Sequence, residues 1–600
     1  MLHFSHSMVK ETKNEITLLV EGWLRERGVT EPVVQLERTA DIKFGEYSLN
    51  VAMRYSKELK RVPLELAQEL TEHMQAAGLK SVARIEFVPP GFINVYLAPE
   101  LFVQQVETVL AQGEHFGQLK THAGEKWVIE HTSPNPNKAM HLGHLRNNLV
   151  GMGLVRLLNF AGAEVMSDCV YNDRGIAIAK VMYGFLAHMR KSPETPVTVE
   201  QFVAQPAEWY SPAELDIKPD VFVAQCYVQG EEDFNAMPEV EQSVRQMVVD
   251  WEARDENVWT LWRHVLQYAY QGNELVLSRL GSHWDKVWYE HEHYQKGKDY
   301  VQEGLKKGVF QELEDGAVLT NLEAAYGLPD TVLLKNDGTS LYITQDLALT
   351  DLKKKTYEAD KLVWVVGPEQ SMSFKQLFAS CEQLGIGKVA DFTHVTYGYV
   401  GLKGADGGFQ KMSSRAGTVV LIDDVIDGVK ENILERFAAD EKEQNEETAE
   451  ILALGAVKFA FLKSDRTQDM TFDAEQSVDV QGDSGMYVLY TYVRTQSILR
   501  KAGDRTLATF TPTEANAEYP LVRTLLYFED VVAKAASDLS VHHIAQYLLE
   551  LSSEFNSWYA KDVVLDGSTS EEYKLALTKA VGITLQNGLR ILGIETVDKM

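Results

Sequence analysis

Trp127 to Gly162 reads WVIEHTSPNPNKAMHLGHLRNNLVGMGLVRLLNFAG, and this stretch decides the fold. Trp127–Glu130 is a short apolar run with the character of a buried strand. Pro134 and Pro136 then break the chain into a tight turn. From Leu142 to Ala161 the apolar residues recur with helical spacing, and Gly162 supplies a C-terminal stop. Strand, tight loop and helix open a βα unit, and ligands of such sheets sit at the carboxyl ends of the strands. His141 and His144 are three apart and share a face at the start of that helix. A helix N-terminus favours phosphate through its unpaired N–H groups and its dipole. Gly143 lets a flat ring approach the backbone, and the two imidazoles can donate to phosphate oxygens as charge develops. A packed helix start, or half of a zinc site, fits the same pair, although no third ligand stands at a fitting spacing.

Working outward, further strands are expected at Val165–Tyr171, Thr331–Leu334, Lys361–Val366 and Thr393–Val400, alternating with helices such as Phe374–Leu384. Such alternation predicts a doubly wound parallel sheet, an α/β fold. An acidic, Trp-rich and mostly helical segment from Pro193 to Trp288 interrupts it and reads as an insertion. Upstream, residues 1–117 read as a small α/β domain. Asn50–Leu70 is helical with a fresh start at Pro63, and Arg84–Leu97 alternates as paired strands around Pro89-Pro90-Gly91. A polar linker at Gly117–Lys126 leads into the sheet domain, 118–440. Beyond it, 441–600 is helical almost throughout and predicts an all-α bundle. Its clearest helix begins at Ser540 as N-cap, with Ile544, Leu548, Leu551, Phe555 and Trp558 on one stripe.

Six hundred residues outgrow a single core, so several domains are expected. Hydrophobic content of 45% and charged content of 24% exclude wholesale disorder and fibrous architectures. Cys169, Cys226 and Cys381 form no C-x-x-C pair, so a disulfide framework or Cys-type zinc site is not expected, and a reducing, cytoplasmic compartment fits. The N-terminus lacks a signal-peptide stretch, and the most apolar run, Ile451–Leu462, is too short for a bilayer and contains Lys458. A net charge of −29 does not exclude RNA, because binding depends on where the 58 basic residues cluster. It favours one shaped partner over any duplex.

A second motif, Lys411-Met412-Ser413-Ser414-Arg415, follows a Gly-rich polar stretch and suits a mobile clamp on a triphosphate, although alone it also fits a solvated loop. An HxGH after the first strand and a KMSxR after the last resemble the paired signature of class I aminoacyl-tRNA synthetases. The flanking motifs resemble the arginyl-tRNA synthetase family along nearly the whole chain. They are FGEYSLNVA (Phe44–Ala52), PGFINVYL (Pro90–Leu97), NDRG (Asn172–Gly175), GTSLYITQDLA (Gly338–Ala348), VVGPEQ (Val365–Gln370), KMSSRAGTVVLIDD (Lys411–Asp424), FDAEQSV (Phe472–Val478), GMYVLYTYVRTQSILRKA (Gly485–Ala502) and NGLRILGIETVDKM (Asn587–Met600).

The resemblance implies an ATP-dependent ligase that activates L-arginine as its adenylate and esterifies the 3′-terminal adenosine of its tRNA. It implies ATP brought as its Mg²⁺ complex, no protein-held metal, no membrane and a monomer. Lys138, His141, His144 and Lys411 would be catalytic, and Gly143, Met412, Ser413 and Ser414 would join the histidines and Lys411 around ATP. Arginine would meet Glu130, Asn135, Tyr342, Asp346 and Gln370. A guanidinium is a planar fork whose natural partner is a bidentate carboxylate, which suits Asp346 with Tyr342 one helical turn away. Tyr487, Tyr490 and Arg494, at i, i+3 and i+7, would stack on anticodon bases, with Met600 nearby; a buried tyrosine stripe gives the same spacing. Phe92 and Asn94 would meet the outer corner of the tRNA.

Two positions leave the family pattern. Ser414 stands where many relatives have a second lysine, and Asp173–Ala177 reads DRGIA where many have DWGTQ, so Arg174 and Ala177 are expected to alter a tRNA-end or arginine contact. Two other readings compete: a small-molecule nucleotidyltransferase, which has no use for the terminal helices, and a non-catalytic RNA-binding paralogue, which would not need the intact histidines and arginine set.

Overall fold

The computed structural model describes residues 8–403, 409–411, 420–439, 445–503 and 520–600. The chain divides into two compact units. One comprises residues 120–478 and 536–542; the other comprises 1–119, 479–535 and 543–600.

The first unit is built on a five-stranded sheet of β1 (Lys126–Glu130), β2 (Glu164–Tyr171), β3 (Lys286–Tyr289), β4 (Lys361–Val365) and β5 (Phe392–Val395). Every pairing is parallel and the order is 3-2-1-4-5. The strand order reverses at β1, the switch point at which doubly wound folds bind ligands. Helix α1 (Leu142–Phe160) follows β1, and helix α2 (Tyr342–Tyr357) precedes β4. The register sets Glu130 opposite Asp168, so two carboxylates from adjacent strands end side by side.

Two strand expectations are corrected. Val332–Leu334 forms, but in a three-stranded antiparallel sheet with Val318–Thr320 and Phe310–Glu312. Parallel pairing needs a crossover of a dozen or more residues, usually a helix, and none long enough separates these short strands. The place in the parallel sheet goes instead to β3, inside the segment read as insertion, because the long helix Glu256–Arg279 serves as its crossover. The expected strand Thr393–Val400 splits: β5 ends at Val395, and Val400–Lys403 starts a second small sheet with Phe409–Lys411 and Met470–Phe472. Residues 445–478 therefore cluster with the parallel sheet.

The insertion packs its own aromatic core of Trp209, Phe222, Trp251, Trp259 and Trp262. Helices Ile176–His188 and Pro219–Ala236 cross closely because Gly184 and Gly230 leave room for each other's backbone; a Cβ at Gly184 would lie 1.9 Å from the Cys226 carbonyl oxygen.

The second unit joins the two ends of the sequence. A four-stranded antiparallel sheet with helices from the first hundred residues shares its core with helices Gly485–Ala502, Pro520–Leu526 and Glu571–Ile591. Asn587 donates to the carbonyls of Gly113 and Phe116, each at 3.0 Å, and Phe116 stacks on Phe528. The stripe Ile544–Trp558 is buried as expected, although its helix starts at His542 and Ser540 Oγ faces the His542 ring at 2.7 Å. Among the described residues no helix is long and apolar enough to cross a membrane.

Candidate active site

The backbone at the end of β1 is bent sharply, with Thr132 and Ser133 at φ of 70° and 33°. Positive φ costs a β-branched residue free energy, so the surroundings must enforce it. Asn147 on α1 does so: it accepts from Thr132 N at 2.7 Å and donates to the Val365 carbonyl at the end of β4. The turn then delivers His141 as N-cap of α1. Its Nδ1 accepts from Gly143 N at 3.1 Å, while His144 Nδ1 accepts from His141 N at 3.2 Å. With both Nδ1 atoms accepting, the ring protons sit on Nε2. Burial lowers His141 to about 4 and His144 well below its ordinary value, and Lys138 adds to the effect on both, so the pair is neutral at pH 7 and offers N–H donors. The space at Gly143 is filled by the His141 ring itself, 2.9 Å from where a Cβ would stand.

The second motif meets this turn at its far end. Lys411 ends the strand Phe409–Lys411, where its backbone pairs with Gly401. Met412, Ser413 and Ser414 lie outside the described residues. Beyond them, Val420 accepts from Leu142 N and Ile422 donates to the Met140 carbonyl, both at 3.3 Å. Arg146 braces the same junction from below, fully buried and donating to the carbonyls of Asp465, Arg466 and Gln468, the segment that leads into Met470–Phe472. Motifs far apart in sequence are thus hydrogen-bonded at their edges.

Across the switch point lies a buried charge cluster. Lys353, 1% exposed on its side chain, donates to Glu130 at 2.7 Å and to Asp168 at 2.8 Å. Burial alone would lower Lys353, but the two carboxylates outweigh it and hold the ammonium charged. Trp288 Nε1 donates to the other Asp168 oxygen at 2.7 Å, and Ser133 Oγ to Glu130 at 3.0 Å. Two turns before Lys353 on the same helix stands Asp346. Burial, and then Glu130, push its carboxyl up to about 7, and among the described residues no donor is bonded to it. Tyr342 opens this helix and is 74% exposed. Asn135 is exposed and accepts from Asn172 at 3.4 Å, and Gln370 is exposed in the turn after β4. Lys138 is half-buried in the loop, its amide donating to the Asn135 carbonyl at 3.2 Å.

Sequence reading missed two of these groups. Lys353 reads as one of three consecutive lysines on a surface helix, and only the cross-strand register reveals its partners. Glu290 follows β3 and is buried; it interacts with Gln345 and with the Asp346 carboxyl, and burial pushes it up to about 7. It lies just past the supposed insertion and in none of the quoted motifs, so no local signal marked it. The described residues contain no cluster of three or more metal-ligating side chains.

In the other unit, Tyr490 is exposed and the Arg494 guanidinium lies 4.8 Å from its ring centre and 5.4 Å from that of Tyr559. Arg494 also donates to Asn556, which fixes the guanidinium plane. Tyr487 is half-buried. Tyr559 differs from its neighbour Trp558: Trp558 is buried, whereas Tyr559 is exposed and stacks on Phe555. Met600 is half-buried, and the chain end returns to this helix through Arg500, which donates to the Asp598 carbonyl at 2.8 Å. Phe92 is half-buried. Asn94 is only 3% exposed, between Ser48 and Glu86 in the sheet, so its side chain is not presented outward as expected.

The chain matches three family models in order: "Arginyl tRNA synthetase N terminal domain" over residues 8–97, "tRNA synthetases class I (R), catalytic domain" over 105–474, and "DALR anticodon binding domain" over 488–600. The chain belongs to the arginyl-tRNA synthetase family. Among curated relatives, an arginine–tRNA ligase of Phocaeicola vulgatus is 32% identical over 95% of this chain and 96% of its own length. One of Bacteroides fragilis is 32% identical over 98% of this chain and 99% of its own. The arginyl-tRNA synthetase of Thermus thermophilus shares the fold, with a TM-score of 0.79 and 24% identity over 98% of this chain and 100% of that one. The doubly wound sheet, the flanking α/β segment and the terminal helices are those of an arginyl-tRNA synthetase.

Proposed function

We propose that the protein attaches arginine to its tRNA. The observation that carries this reading is a half-buried carboxyl, Asp346, to which no donor is bonded among the described residues, one helical turn from an exposed tyrosine at the switch point of the sheet. A guanidinium supplies the missing cation and a flat face for Tyr342, and both a neutral isostere and the compact ammonium of lysine leave the site unsatisfied. Glu130 and Asn135 would meet the α-amino end, and Gln370 would complete the pocket.

In the first step an oxygen of the arginine carboxylate attacks the α-phosphorus of Mg²⁺–ATP. The bond to the β-phosphate bridge breaks, giving arginyl-adenylate and pyrophosphate. His141 and His144 donate through Nε2–H, and Lys138 and Lys411 add positive charge, stabilising the phosphates as charge develops. In the second step the 2′-hydroxyl of the terminal adenosine attacks the acyl carbon; its proton is lost and AMP leaves. Gly143 and residues 412–414 would line the ATP site. Tyr487, Tyr490, Arg494 and Met600 would contact the anticodon, and Phe92 the outer corner of the tRNA. The protein is proposed to act as a cytoplasmic monomer.

Pyrophosphate exchange with each amino acid, with and without total tRNA, tests the reading. Arginine-specific, tRNA-dependent exchange is expected. Exchange with another amino acid, or none under any condition, overturns it.

A further inference from the structure

The segment Asp173–Ala177, where the sequence leaves the family pattern, places Arg174 beside the pocket. Its Nε lies 3.6 Å from Glu290 Oε1, and its Nη2 lies 3.7 Å from Glu252 Oε1 on the insertion. The guanidinium carbon sits 4.2 Å from the ring centre of Tyr294 and 6.0 Å from that of Trp251. The protein thus holds one of its own guanidinium groups between carboxylates and aromatic faces. The carboxylate distances exceed those of a close hydrogen bond, so the attraction is mainly that of charges, and it is strongest toward Glu290, which is buried, whereas Glu252 is exposed. Among the described residues Nη1 is buried without a hydrogen-bond partner, so the side chain acts here through its charge and not through a satisfied bonding pattern.

Glu290 has few other reasons to be charged. On its own segment His291 is committed to Asp173, at 2.6 Å, and burial keeps His293 neutral near pH 7, lowered to about 4. Asp173, from the loop that carries Arg174, repels it, as does Asp346 from helix α2, while Gln345 contributes a neutral hydrogen bond. Lys353 is taken by Glu130 and Asp168. Arg174 is the cation that faces Glu290.

We infer that Arg174 is a positioning residue for the arginine pocket: it holds the Glu290 carboxylate beside Asp346 and so sets how tightly the pocket grips the substrate's guanidinium. The inference rests on arginine being the substrate. Arg174 touches no reacting atom, so its effect belongs in arginine binding and in its pH dependence. Its positive charge favours ionised Glu290. Without it Glu290 keeps its proton to a higher pH, and arginine binding is lost at a pH where the wild type still binds.

The test is arginine-dependent pyrophosphate exchange with saturating ATP and tRNA for wild type, Arg174→Met, Arg174→Lys, Glu290→Gln and the Met–Gln double variant. Arg174→Met should raise the KM for arginine by ~10–100-fold, the scale of one charged contact in a binding site, with kcat within a few-fold. Its acid limb of kcat/KM should move to higher pH. Arg174→Lys should recover most of both readings, and adding Arg174→Met to Glu290→Gln should change little. An unmoved KM and acid limb, a loss confined to kcat, or full additivity with Glu290→Gln overturns the inference. Should Arg174→Met fail to fold, Arg174→Gln carries the same readings. Wild-type protein that does not exchange with arginine overturns the substrate reading itself, whereas normal wild-type exchange with unmoved variants overturns only the role of Arg174.

Discussion

The pocket around Asp346 and the face formed by Tyr490, Arg494 and Tyr559 both join carboxylate, guanidinium or ring partners, yet they use water differently. Glu130, Glu290 and Lys353 are buried, and each charge there depends on a named neighbour. Tyr490 and Tyr559 each keep 39% of their surface exposed, and the cation between them is fixed to Asn556. In the first region burial makes every electrostatic contact strong and every missing partner costly. In the second, exposure leaves π faces open to bases at modest energy each. A small cationic substrate and a flexible single strand call for these two solutions respectively.

The comparison breaks first at Lys353. Lys353→Met leaves Glu130 and Asp168 buried without their cation, and should cost about 3–5 kcal/mol of stability, read by urea unfolding. A loss below 1 kcal/mol would mean that the cluster is more hydrated than its burial indicates. Next is Asp346→Asn, which should lower kcat/KM for arginine by ~10²–10³-fold through loss of a desolvated charge pair, while the KM for tRNA stays put. At the phosphate end of the same region, Lys138→Ala should lower kcat by roughly 10²–10³ with the arginine and tRNA constants nearly unchanged, because the loop lacks a lysine at Ser414. Introducing Ser414→Lys in that background should recover part of the rate; near-normal kcat in Lys138→Ala would make it a solvated loop residue.

On the exposed face the effects are smaller. Tyr490→Ala or Tyr559→Ala should each cost ~1–3 kcal/mol of stacking, seen in the KM for tRNA with arginine and ATP constants unaltered. A drop in thermal stability with normal charging would make these rings packing residues. The finest distinction is in pH. The folded Asp346 carboxyl holds its proton up to about 7, above its ordinary 3.8, so its contribution to stability is present at acidic pH and lost as pH rises through about 7. The Tm of ligand-free protein should therefore fall across that range more steeply than in Asp346→Asn, and arginine binding near pH 6 should release protons, measurable by calorimetry in two buffers. Tyr490→Ala should leave both pH readings unaltered.

Local signals made much of this legible. The run Trp127–Gly162 carries strand, turn and helix in an order that permits one supersecondary unit, and His141 and His144 need only helical spacing to share a face. Tyr342 and Asp346 are implied by the family resemblance, and helical spacing adds only that they share a face. Residues 331–334 and 393–400 show its limit: both have strand character, but which sheet receives a strand depends on the length of the connection, not on the strand.

Sequence alone determined what is periodic or contiguous: the βα unit, the paired motifs, the terminal helices and the residue types able to grip a guanidinium. Tertiary structure decided what depends on register and burial. It set Glu130 against Asp168 with Lys353 between them, brought Glu290 and Arg174 from either side of the insertion to the same pocket, and separated exposed Tyr559 from buried Trp558. The physical reason is that the charge state of a carboxylate and the exposure of a ring are properties of neighbours distant in sequence, and no local pattern encodes who those neighbours are.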